Sequence, residues 1–107
     1  MSQELYTIIL DFRGGTYIAQ IRSSSPKQSV AAWAERLSDK EICEWKLDKQ
    51  QLLKMAYDDE PVPVTGCEAV WCLSGTIGKH LALVNVVQTD SHCTKKTSSI
   101  DEGAMSG

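Results

Sequence analysis

The chain predicts an α+β fold, a two-layer arrangement in which a four-stranded, mostly antiparallel sheet in ββααββ order carries helices on one face. Three observations predict it. Two alternating apolar runs between Leu5 and Arg22 meet at Gly14-Gly15. The middle of the chain repeats apolar residues at helical spacing between capping signals. Two further runs of strand character, Glu68 to Ser74 and His80 to Thr89, flank the glycine-bounded loop Gly75 to Lys79.

The first hairpin can be read residue by residue. With Gly14 and Gly15 filling a two-residue primed turn, Phe12 faces Tyr17, Leu10 faces Ala19 and Ile8 faces Ile21 on one side of the ribbon. Asp11 faces Ile18 and Ile9 faces Gln20 on the other. The first side is apolar and belongs to a core, whereas the second is mixed and is left for water or a partner.

A helix over 26–37 follows. Ser25 is placed to cap it, Pro26 suits its first position, and Gln28 stands where the return half of a capping box belongs. Val30, Trp33, Ala34 and Leu37 make its apolar stripe. Between Ser38 and Leu47 the period is ambiguous, since Ile42 and Trp45 suit a helical turn while Cys43 and Leu47 do not, and the segment is read as a connector. Asp48 with Gln51 starts a second helix over 48–57, striped by Leu52, Met55 and Ala56. It stops before Asp58-Asp59-Glu60-Pro61, and Pro61-Val62-Pro63 reads as extended linker. In the last strand both parities are apolar, which predicts a central position with burial on both faces. Residues 1–89 therefore form one domain, and the polar stretch 90–107 reads as a disordered tail.

Composition narrows the function classes. No apolar run approaches the roughly 20 residues that cross a bilayer, so no membrane role is expected. The opening Met-Ser-Gln-Glu-Leu has neither a basic n-region nor an apolar h-region, which implies a cytoplasmic address. The cysteines at 43, 67, 72 and 93 then stay reduced, two of them as small apolar residues in a strand. Net charge is −3. It concentrates between residues 39 and 60, where Asp39, Glu41, Glu44, Asp48, Asp58, Asp59 and Glu60 outnumber four lysines. Such a chain is ill suited to phosphate backbones, which argues against direct nucleic-acid binding, and better suited to a basic protein.

The chemical constellations are weak. Cys67 and Cys72 are five apart, whereas structural zinc ligands come in pairs two to four apart, and His80, His92 and Cys93 add no such pair, so no metal or other cofactor is expected. Cys72 and His80 are the thiol and imidazole that the hairpin could bring together, and they define a thiol-enzyme alternative. The run Asp58-Asp59-Glu60 lacks the alternating oxygens and sharp glycine of a calcium loop. It reads either as a solvated loop or as a surface that steers a basic protein. Trp33 and Trp71 belong to the core, while Trp45, set between Glu44 and Lys46, is a candidate interface anchor.

The segment Tyr6 to Ile21, Y-T-I-I-L-D-F-R-G-G-T-Y-I-A-Q-I, followed by Ser25-Pro26 and Ala31-Ala32-Trp33-Ala34, resembles small bacterial immunity proteins of polymorphic toxin and contact-dependent growth inhibition systems. The resemblance covers about the first 37 residues. It implies a non-enzymatic protein that neutralises a cognate toxin, a basic nuclease domain, by one-to-one contact. The contact is then expected on Asp58, Asp59 and Glu60, with Glu41, Glu44 and Trp45 as neighbours. The hairpin followed at once by a helix is also similar to antitoxins of the HicB kind, although the Pro-Gly-Cys segment and the C-terminal DNA-binding module of that kind are not recognisable here. A third alternative is a homodimeric interaction domain that pairs exposed strand edges.

Overall fold

Two antiparallel hairpins, one from each end of the described residues, are joined edge to edge into a single sheet whose one face carries the described helices. A computed structural model describes residues 3–89. The elements are β1 (Glu4–Phe12), β2 (Gly15–Ser23), α1 (Pro26–Arg36), α2 (Asp39–Trp45), α3 (Lys49–Asp58), β3 (Val62–Pro63), β4 (Val70–Ile77) and β5 (His80–Thr89). The sheet runs β2-β1-β5-β4-β3, every neighbour antiparallel. The α+β class agrees with the sequence, but the count does not. Among the described residues there are five strands and three helices instead of four strands in ββααββ order.

The extra helix lies in the expected connector. Ser38 Oγ accepts from the Glu41 amide at 3.1 Å, and the Glu41 carboxylate accepts from the Ser38 amide at 2.9 Å, a complete capping box. Lys46, at φ 56°, ends α2 in the left-handed region. No residue of α2 is fully buried, so the helix carries no core stripe that periodicity could detect. The extra strand lies in the expected linker, where Val62 and Pro63 pair with Cys72 and Trp71. An edge position tolerates Pro63 because its missing N–H has no partner to lose.

The first hairpin differs from expectation by two residues. Its turn is Arg13-Gly14, with φ values of 53° and 83°, and Gly15 is already in β2 opposite Phe12. Leu10 therefore faces Tyr17, Ile8 faces Ala19 and Ile9 faces Ile18. A type I′ turn needs positive φ at both central residues, and Arg13 accepts that strain. Gly15 instead supplies room: a Cβ there would run into the ring of Tyr17. Because the shift is even, each side chain keeps its side of the sheet, and Tyr6, Ile8, Leu10 and Phe12 are buried as the alternation requires. The second hairpin is tighter than expected. β4 continues through Gly75 to Ile77, and the turn is Gly78-Lys79 alone. Gly75 sits on the core side, where Met55 of α3 occupies the space a side chain would fill.

The central position of β5 agrees with its composition, but its burial is one-sided. Ala82, Val84 and Val86 are fully enclosed, whereas Leu83, Asn85 and Val87 are half-buried and Leu81 is 64% exposed. Among the described residues, helices cover only the face bearing Tyr6, Ile8, Leu10, Leu73, Val84 and Val86. They reach it through Val30, Trp33 and Ala34 of α1 and through Leu52, Met55 and Ala56 of α3.

Two lysines fix α1 against α3. Lys27, in the first turn of α1, donates to the carbonyls of Tyr57 and Asp59 at the end of α3 at 2.8 and 2.9 Å. Lys49, in the first turn of α3, donates to the carbonyls of Glu35 and Leu37 at the end of α1 at 3.2 and 3.1 Å. Each helix thus has its unsatisfied C-terminal carbonyls closed by the other. Gln51, placed by sequence as the return half of a cap, instead accepts from the Gly78 amide and ties α3 to the second hairpin. The stretch 90–107, expected as a tail, lies outside the described residues.

Replacing Arg13 by Asn should create the Asn-Gly pair that favours this turn and raise stability by about 0.5–1 kcal/mol, read as the midpoint of urea unfolding. Lys49→Met should lower it by about 1–2 kcal/mol by leaving the α1 carbonyls without their charged donor.

Candidate functional site

The six residues expected to bind a partner fall at two separate margins of the helical layer. Glu41, Glu44 and Trp45 lie on α2 beside the edge strand β2. Asp58, Asp59 and Glu60 lie at the end of α3, against β4. β2 and β4 are three strand spacings apart in the sheet, roughly 14 Å. The two groups line different grooves.

At the first margin the last turn of α2 lays Trp45 over Tyr17, ring centroids 4.2 Å apart and planes 24° from parallel. Trp45 is half-buried, an anchor shared between α2 and the first hairpin. A groove of about 200 Å³ runs between this stack and the edge strand, walled by Ile18, Gln20, Trp33, Leu37 and Glu41. Glu41 is committed to Ser38, while Glu44 is exposed. The stack was not legible in sequence, because it joins residues 28 positions apart through a helix that periodicity did not show.

At the second margin Asp58 pairs with Lys54 at 3.0 Å and Glu60 with Lys27 at 3.3 Å. A groove of about 340 Å³ opens beside them, walled by Lys54, Met55, Asp58, Asp59, Gly75 and Thr76. The acidic middle of the chain is thus less free than its count suggests. Glu41 and Asp48 cap helices, Asp39 lies in the favourable first turn of α2, and Asp58 and Glu60 have lysine partners. Lys27 enters from outside the acidic stretch, which local charge counting does not see.

The thiol alternative loses its geometry. Cys72 lies opposite Asn85 on the uncovered face, whereas His80 lies at the end of the core face with its ring 6.0 Å from that of Phe12. The two positions are five steps apart along β5, roughly 17 Å. Cys67, at the turn before β4, and Cys43, on α2, are exposed, so of the described thiols only Cys72 is a strand residue. Among the described residues no three His, Cys, Asp or Glu side chains are arranged so that they could hold a metal ion, and His92 and Cys93 lie outside them. Burial, with a smaller contribution from Glu4, raises the phenol of Tyr6 above its ordinary pKa, but that ring is in the core against Trp71.

Trp45→Ala should cost about 2 kcal/mol of unfolding free energy. A double-mutant cycle with Tyr17→Ala should return a coupling of about 1 kcal/mol, the share due to the stack. Comparison with models of known protein families, with curated proteins and with solved structures returned no match for this chain.

Proposed function

We propose that this protein acts by binding another protein, as an immunity protein that neutralises a cognate bacterial toxin domain through one-to-one contact. The observation that carries the reading is the placement of Asp58, Asp59 and Glu60. All three are exposed at the C-terminal end of α3, where the helix dipole is itself negative, beside an open groove against β4. Carboxylates at that end oppose the dipole at about 0.3–1 kcal/mol each, so helix stability alone favours bases there. Lys27 and Lys54 hold Asp58 and Glu60 in place, which lowers the cost of ordering them on contact.

A nuclease holds its substrate's phosphates with lysines and arginines, and an ordered row of carboxylates is a competitor for those side chains. The contact is therefore assigned to Asp58, Asp59 and Glu60, with Met55 and Thr76 as the apolar and neutral floor of the groove. Glu41, Glu44 and Trp45 stand at the other margin and are not part of this patch.

The test is co-expression with candidate basic nuclease-toxin domains, read as growth rescue and as an isolated complex. The Asp58→Lys, Asp59→Lys double variant should weaken binding by about 100-fold, mostly through slower association, and abolish rescue. Glu44→Lys should leave both near the wild-type level. Unchanged affinity and rescue in the double variant would refute the assignment.

A further inference from the structure

The two edges of the sheet are built differently. At one, β3 has two residues, one of them Pro63, and is preceded by Pro61. That edge is blunted. At the other, β2 keeps an unbroken register with β1 over nine residues, with no proline, lysine or bulge. The Arg13-Gly14 turn makes Phe12 and Gly15 a hydrogen-bonded pair, so Tyr17, Ala19 and Ile21 direct their backbone groups to β1. Thr16, Ile18, Gln20 and Arg22 direct theirs outward, where no strand among the described residues receives them. Ile18 is 67% exposed on the same strand.

We propose that this edge is occupied by the β2 strand of a second copy, antiparallel and centred on Ala19, so that two five-stranded sheets become one. The sequence of β2 is complementary to itself in that register. Gly15 to Ser23 is a nine-residue strand with Ala19 at its midpoint, so centring there pairs its full length. Thr16 then exchanges backbone hydrogen bonds with Arg22 of the second copy, and Ile18 with Gln20 of the second copy, using every outward group. The two Ala19 residues meet at the twofold axis, at a non-hydrogen-bonded position where strands approach to about 4.5 Å between Cα atoms and a small side chain fits. The two Ile18 side chains lie diagonally across the axis and cover one another.

Charge agrees with this register. Asp11 neighbours Thr16 in the sheet, and the Thr16 hydroxyl donates to it at 2.6 Å. Arg22 of the second copy, arriving opposite Thr16, stands two strand spacings from Asp11, about 10 Å between Cα atoms, which the two side chains together span. The pair forms twice by symmetry, and within the two paired strands no like charges face each other. The far margin differs from this edge, since β3 carries Pro63 and pairs only with Trp71 and Cys72 of β4, so it does not match β2, and the twofold pairing of β2 with itself closes at two copies. This surface is at the opposite margin from Asp58 to Glu60, so the inference stands independently of the toxin reading.

Sedimentation equilibrium of the full chain across a dilution series tests it. A species of about 23.6 kDa, twice the 11.8 kDa chain, is expected at high concentration. Ile18→Lys should give the monomer mass with unchanged circular dichroism. Arg22→Asp should weaken the dimer by about ten-fold or more, and adding Asp11→Arg should restore it. A chain that stays monomeric at every concentration would overturn the proposal, as would a dimer that Ile18→Lys leaves intact. A dimer indifferent to Arg22→Asp would overturn the Ala19-centred register.

Discussion

β1 and β5 are separated by most of the described chain, yet their pairing sets Ile8 against Val86 and Leu10 against Val84, four side chains withdrawn completely from water. Each of the two hairpins alone has an unpaired inner edge and an apolar face too small to bury itself. Joined through β1 and β5, they become one sheet with a continuous apolar face, and the helices have something to cover. The pairing also dictates the path of the middle of the chain. Residues between β2 and β3 must travel from one edge of the sheet to the other, and crossing the apolar face is the route that buries Val30, Trp33, Leu52 and Met55. The reciprocal lysines belong to this route, since they hold α1 and α3 antiparallel while both lie on the sheet.

What sequence reveals here depends on whether an element writes its own burial pattern. β1 and β2 alternate with period two and α1 repeats apolar residues at helical spacing, so both are legible. α2 is not, because a two-turn helix with no fully buried residue has no stripe. Its one local signal, Ser38 followed three residues later by Glu41, is legible only to a search for caps. The hairpin shows the complementary limit. Arg13-Gly14 and Gly14-Gly15 turns differ by a register shift of two, which exchanges cross-strand partners but no sides, so hydrophobic alternation cannot separate them. The side assignment of Phe12, Leu10 and Ile8 is therefore secure from sequence while their partners are not.

The candidate site was legible as residue types and not as a place. Seven acids between residues 39 and 60 form one cluster in sequence, but α2 and α3 carry them to opposite margins, and caps and lysines occupy several. Trp45, read as an anchor among charges, is held by Tyr17 from β2, 28 positions earlier in the sequence. Long-range packing decides such roles, and a single sequence encodes it only through patterns longer than any one of these elements.

One-sided cover explains why the two margins differ in character. With helices on one face only, the sheet meets solvent along an open face and at its edges, and each edge needs its own protection. Pro61 and Pro63 protect the β3 edge by removing donors. The β2 edge has no such device, and its outward residues instead match those of its own copy. A dimer joined there would place the two α3 ends on the far sides of a ten-stranded sheet, remote from the shared axis. Each acidic end would then meet one basic partner without obstructing the other, so self-association through β2 and one-to-one contact through Asp58 to Glu60 are compatible in one molecule.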